Sequence, residues 1–223
     1  MQMSLRRAFL ALDKYLWFQK TRFQLGNARA VLDVGGGDGM FEDAFRASDH
    51  EFTILETTKN NHPDVVHYVL YGGNDFPYAD GTFDLGLMLQ TIEHIPPRNR
   101  QHVITELMRV TRHRVILAFP IRRLHFELVF RAIFEMYATL GLGGMKSFYE
   151  EHLRYGLPRP ENVLRMSQKP ATFSECYFGK ICCFILMLQL LFPILIPLSP
   201  LFARLTKSMK EPEPIFALLC FQN

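Results

Sequence analysis

The chain has 223 residues and a net charge of +3, with apolar residues at 48% and charged residues at 21%. That length and balance describe one globular domain with appended pieces, and they exclude a disordered chain. Basic residues are scattered except for pairs such as Arg6-Arg7 and Arg122-Arg123, so there is no electrostatic footprint for nucleic acid and no such partner is expected.

Residues 1–28 place Leu5, Phe9, Leu12 and Leu16 at helical spacing, which predicts an amphipathic helix that packs on the domain or forms a lid over its cleft. Asp13 and Lys14 interrupt the run before a secretory leader could be completed. The remainder, 29–223, reads as the main domain. Its four cysteines, Cys176, Cys182, Cys183 and Cys220, lie late and form no C-x-x-C pair suited to zinc. A reducing, cytoplasmic setting and no bound metal are expected.

Ala30 to Phe45, AVLDVGGGDGMFEDAF, organises the chain. Val31, Leu32 and Val34 predict a short buried strand. Gly35, Gly36, Gly37 and Gly39 predict a turn, and Met40 to Phe45 the first turns of a helix. Glycines let the backbone approach a ligand closely, and the helix start presents unpaired amides with the positive end of its dipole. A nucleotide-like ligand is the natural occupant. The dinucleotide fingerprint wants a third glycine six positions into the turn, where Met40 stands, so a nicotinamide-dependent oxidoreductase is the weaker alternative.

Glu51 to Thr58, EFTILETT, predicts a second strand carrying Phe52, Ile54 and Leu55, with Glu56 at its end and Thr57 beside it. An acidic residue roughly 20 positions beyond the glycines can accept hydrogen bonds from both ribose hydroxyls. Val65 to Leu70 predicts a third strand. Asn74 to Pro97 then reads NDFPYADGTFDLGLMLQTIEHIPP: a turn pair at Asp80-Gly81, a core anchor at Phe83, and a fourth strand over Leu85 to Leu89.

Two stretches carry a family resemblance. Asp33 to Gly39, DVGGGDG, resembles motif I of the class I S-adenosylmethionine (SAM) dependent methyltransferases of the small-molecule type. The run Pro77, Tyr78, Asp80, Gly81, Phe83, Asp84, followed by His94, Ile95 and Pro96, resembles their later signature. The resemblance covers roughly Ala30 to Pro120. It implies SAM as cofactor. Gly35, Gly36, Gly37 and Gly39 would give room to its methionine and ribose portions, Asp33 would order the turn, and Glu56 would hold the ribose. Asn74 and Asp75 would flank the adenine, and Gln90 and Thr91 would line the methionine end. Gly72 stands where the family usually has an acid that contacts the adenine amino group. A sulfonium methyl is already electrophilic, so alignment of the acceptor supplies most of the acceleration. His94 is the candidate base if the acceptor carries a proton, with bracing of the Ile95-Pro96-Pro97 turn as its structural alternative.

Pro97 to Thr111 predicts a helix and Arg114 to Pro120 a fifth parallel strand. This alternation implies a doubly wound Rossmann-like α/β fold of seven strands, with helices on both faces and ligands at the carboxyl ends of the strands. Leu124 to Leu142 predicts a long helix. Glu150 to Leu164 predicts a polar loop turning at Gly156 to Pro158, with Pro160 and Glu161 suited to a helix first turn. Glu151 and His152 are candidate acceptor contacts, by resemblance to smaller members of the class. Thr172 to Phe178 and Pro214 to Phe221 predict strands six and seven.

Between them, at about 180–206, lies an apolar insertion that is long enough to cross a bilayer but broken by Pro193, Pro197 and Pro200. Two readings of it stand side by side. Residues 181–203 either lie peripherally on the inner face of a membrane or form a lid for a hydrophobic substrate, or they pack onto the domain or a partner in a homodimer. The first favours a small hydrophobic or lipid-like acceptor. A non-catalytic membrane-associated protein that keeps the fold is the alternative to an enzyme.

Overall fold

The computed structural model describes residues 21, 25–37, 39, 42, 49–58, 67–121, 150–177 and 216–223. The predicted helix at 124–142, the apolar insertion at 180–206 and most of the predicted N-terminal helix lie outside these residues; of the last, Thr21 and Leu25 are helical and buried. Among the described residues no helix is long and apolar enough to cross a membrane.

Strand β1, Ala30–Val34, is buried at every position from Val31 onward. A strand apolar on both sides belongs in the middle of a parallel sheet covered on both faces, and β1 occupies that place. It pairs in parallel with β2, Glu51–Glu56, on one side and with β4, Phe83–Leu89, on the other. Beyond β2 lies the short β3, Tyr68–Leu70, and beyond β4 lies β5, Thr111–Pro120, both parallel. Strand β7, Phe216–Gln222, runs antiparallel to β5, and β6, Ala171–Tyr177, is antiparallel to β7 at the edge. The sheet therefore has seven strands in the order β3-β2-β1-β4-β5-β7-β6. The chain reverses its direction of travel across the sheet between β1 and β4, which opens a crevice above their carboxyl ends.

Helix α1, Pro97–Val110, starts at a proline whose missing amide proton costs nothing in a first turn. Its buried face, Val103, Ile104, Leu107, Met108 and Val110, packs on β4 and β5. Gly86 in β4 permits the approach, because a Cβ there would lie 2.6 Å from Leu107 Cδ1. The same helix anchors the segment before β4. The Phe76 amide donates to Glu106 Oε2 at 2.8 Å, and Arg109 donates to Glu106, to Asp80 Oδ1 and to the carbonyls of Phe76 and Tyr78. At the opposite edge, Asp84 accepts from the amides of Arg29 and Ala30 at 2.9 and 3.0 Å, which holds its carboxyl below the usual range.

Helix α2, Pro160–Ser167, begins at Pro160 as expected, but residues 150–155 are helical where a polar loop was predicted. The Gly156 amide closes that segment on the His152 carbonyl at 2.9 Å. Strand β3 is described only from Tyr68, shorter than the predicted start at Val65.

Candidate cofactor and acceptor site

The glycine turn leaves β1 and comes back against the end of β2. The Gly35 amide donates to the Leu55 carbonyl at 2.9 Å, and the Gly37 amide donates to Glu56 Oε1 at 2.9 Å. Gly35, Gly37 and Gly39 have φ of 78°, 68° and 74°, a conformation that L side chains rarely adopt. A Cβ on Gly37 would meet nothing within 4 Å, so the turn faces open space there. Gly36 is buried over Asp33, and a Cβ on it would lie 3.0 Å from both Asp33 Oδ2 and Glu42 Oε1. Asp33, 1% exposed, thus lies beneath the turn it was expected to order.

The other predicted pieces converge on the same edge. The Tyr71 amide donates to the Glu56 carbonyl at 2.9 Å, which brings the segment after β3 beside β2. Burial, and then the Glu56 charge, push the Tyr71 phenol up from its ordinary value. In this segment Gly73 comes up to Thr57, a Cβ on it lying 4.0 Å from Thr57 Cγ2. Asn74 is exposed, and Asp75 is drawn toward α1, its Oδ1 3.3 Å from His102 Nε2. A Cβ on Gly72 would likewise meet nothing within 4 Å. At the end of β4, Gln90 has φ 55° and its amide donates to the Ala118 carbonyl at 2.7 Å. Thr91 packs directly against Gly35, its hydroxyl donating to the Leu89 carbonyl at 3.3 Å and reaching the Gly35 carbonyl at 3.5 Å.

His94, Glu151 and His152 form a second cluster, adjoining the first through the 3-10 turn Ile92–His94. His94 Nδ1 lies 2.7 Å from Glu151 Oε2, and the two imidazole rings are 4.8 Å apart, inclined at 35°. Burial holds His94 at about 4. Burial, with the His94 and Arg100 charges, holds His152 at about 3. Both rings are neutral near pH 7, and basicity that low works against the general-base role expected for His94. Burial also raises the Glu151 carboxyl.

Several residues that build this place carry no mark in the sequence. Arg100 is buried and ties both sides together: Nε donates to the Ile95 carbonyl at 2.9 Å, and Nη2 to the carbonyls of Gly156, Tyr155 and Glu93 at 2.7, 3.3 and 3.4 Å. A lone arginine early in a helix carries no signal of such partners. Glu42 beneath the turn and the buried Glu93 were missed for the same reason, and the left-handed backbone of Gln90 leaves no mark on composition.

A strand–glycine-turn edge with an acid at the end of β2 and a topological switch beside it defines a nucleotide-binding α/β fold of the Rossmann-like type. Comparison with known proteins narrows the class. Residues 32–119 match the family model described as a methyltransferase domain. An uncharacterized methyltransferase of Mycobacterium sp. (strain KMS) is 36% identical over 107 residues, 44% of this chain and 40% of that protein. The chain thus spans about two-fifths of the length of the curated relatives it matches. A SAM-dependent methyltransferase structure from Archaeoglobus fulgidus superposes with a TM-score of 0.60 at 11% identity, covering 94% of both chains. A possible histamine N-methyltransferase from Thermotoga maritima gives 0.60 at 13% identity, covering 97% and 93%. The 1,6-didemethyltoxoflavin-N1-methyltransferase of Burkholderia thailandensis, solved with S-adenosylhomocysteine, gives 0.53 at 13% identity, covering 97% and 78%. Residues 32–119 are thus similar to a methyltransferase domain, and the chain shares the fold of SAM-dependent methyltransferase structures.

Proposed function

We propose that this protein binds SAM across the carboxyl ends of β1, β2 and β4 and transfers its methyl group to a small acceptor, hydrophobic or lipid-linked in character. The observation that carries the reading is the meeting of the Gly37 amide with the Glu56 carboxylate beside an open turn. The residues present fit the cofactor: an acid at the end of β2 suits a ribose, and the glycine turn leaves space for the chain beyond it.

When bound, SAM supplies a methyl group already activated by a positive sulfur. The chain's own contribution is binding and alignment, and alignment alone is worth much of the barrier. Glu56 holds the ribose hydroxyls, with Thr57 beside it. Asp33 supports the turn from below, with Gly35, Gly36, Gly37 and Gly39 leaving room above it. Asn74 and Asp75 border the adenine. Gln90 and Thr91 border the methionine end and hand on, through Ile92–His94, to His94, Glu151 and His152, which hold the acceptor. Neutral imidazoles suit holding an acceptor better than removing its proton. The preference for an apolar acceptor rests on residues 181–203, which would lie against the inner face of a membrane, cover the substrate or join a second copy of the chain. On this reading the protein would act in the cytoplasm, peripheral to a membrane where that contact is made.

Calorimetric titration with S-adenosylhomocysteine tests the reading. Saturable one-to-one binding is expected, weakened about 10- to 100-fold by Glu56→Ala through the loss of charge-assisted hydrogen bonds. Absence of binding by the unmodified chain would remove the reading altogether.

A further inference from the structure

Glu93, His94 and His152 come from two segments far apart in the chain, yet one carboxylate oxygen and one ring nitrogen from each histidine lie within 4.8 Å of one another. We propose that these three side chains form a site for a borderline divalent cation of the zinc class. Ligand bonds of about 2.0–2.2 Å separate the atoms around such an ion by roughly 3–4 Å, so the trio closes on it with side-chain shifts of up to about an ångström. Two imidazoles and one carboxylate select zinc, iron, cobalt or nickel over calcium and magnesium, which favour all-oxygen shells.

Three features of the surroundings favour an ion. The Nε2 of His152 is buried with no hydrogen-bond partner, an uncommon state for a ring nitrogen and one that coordination relieves. His94 is bonded to Glu151 through Nδ1, which fixes the ring; a carboxylate behind a histidine is the usual support of a ligating imidazole. Arg100 holds the Glu93 carbonyl on one segment and the Tyr155 and Gly156 carbonyls on the other, so one buried side chain sets the spacing of the ligands. The sequence concealed the site because no cysteine takes part and its ligands come from separate elements. Three protein ligands leave a coordination position open. On the methyltransferase reading, that position takes an oxygen or nitrogen of the acceptor, next to Gln90 and Thr91 where the methyl group would arrive.

The test uses the full chain stripped with a chelator and titrated with Zn2+ alone, then with Co2+ as a spectroscopic probe, with S-adenosylhomocysteine titrated separately. One equivalent of Zn2+ per chain is expected, together with a visible d–d absorption from bound Co2+. Both should be lost in Glu93→Gln and in His152→Ala, whose folding is checked by circular dichroism, and Glu151→Gln should weaken binding about 10- to 100-fold. No stoichiometric uptake by the unmodified chain, or uptake unchanged in a folded His152→Ala, overturns the site. If neither variant folds, the Co2+ spectrum of the unmodified chain decides: no d–d band at one equivalent overturns it. Binding of S-adenosylhomocysteine without metal uptake also overturns the ion while sparing the cofactor reading. Metal uptake without S-adenosylhomocysteine binding supports the ion and overturns only its role toward the acceptor.

Discussion

Gln90 is held at φ 55°, where a non-glycine residue is strained by about 1–3 kcal/mol, and the surrounding structure sustains it through the Ala118 carbonyl. Such strain concentrates at functional sites, and here it falls where β4 ends, beside the place proposed for the methionine end of the cofactor. Gln90→Gly removes both the strain and the side chain. Because relief of strain and the added freedom of the unfolded chain oppose each other, urea unfolding should change by less than about 1 kcal/mol. Affinity for S-adenosylhomocysteine should fall; unchanged affinity would show that the side chain takes no part. Glu106 gives a pH signature instead. The Arg109 guanidinium, above all, brings its carboxyl down from 4.5 to about 2. Its folded value lies below its unfolded one, so its stabilisation is fully present above about pH 4.5 and is lost as pH falls through about 2. Urea unfolding at stepped pH should show an acid limb over that window, and Glu106→Gln should flatten it while lowering stability at neutral pH. Among single residues, the turn glycines and Glu56 were readable because their meaning is local: a strand, a bend, an acid at a set distance. Glu42, Glu93 and Arg100 act through partners that only the folded chain brings near.

At the scale of elements, the five parallel strands were legible because each is a short apolar run bounded by turn residues, and α1 because its apolar face repeats at helical spacing. Strands β6 and β7 were also found, but the antiparallel direction of β7 was not, since an apolar run such as PIFALLCF reads the same in either direction. Residues 150–155, EEHLRY, read as a loop for want of an apolar stripe. Their helix is tied down from outside instead, by the His94–Glu151 bond and by Arg100 on the carbonyls of Tyr155 and Gly156. Removing the guanidinium should therefore release this element more than the sheet. For Arg100→Met we expect a loss of roughly 1–3 kcal/mol, from charged hydrogen bonds broken and carbonyls left buried. Amide exchange should accelerate in 150–156 well before it does in β4 or β5. Uniform acceleration across the sheet would show that Arg100 supports the fold as a whole and not this segment.

Across the whole molecule, four separate stretches meet above the switch between β1 and β4: the glycine turn, the end of β2, the segment from Tyr71 to Asp75, and Gln90-Thr91. Each is joined to another by a contact that crosses the chain, Gly37 to Glu56, Tyr71 to Glu56, Thr91 to Gly35. A ligand lying across all four restrains them together, and binding to the folded state alone stabilises it by about 2.7 kcal/mol at a hundredfold excess over Kd. Saturating S-adenosylhomocysteine should accordingly raise the unfolding midpoint in a concentration-dependent way. It should also slow amide exchange at 35–39, 56–58, 71–75 and 90–91 in a single step of the titration. Thr111–Pro120 at its buried core and the far edge at Ala171–Tyr177 should change only as global stability changes. Protection confined to one of the four stretches would mean that they neighbour one another without forming one cradle. Protection of all four at the same half-saturation is the outcome that the contact between Gly37 and Glu56 predicts.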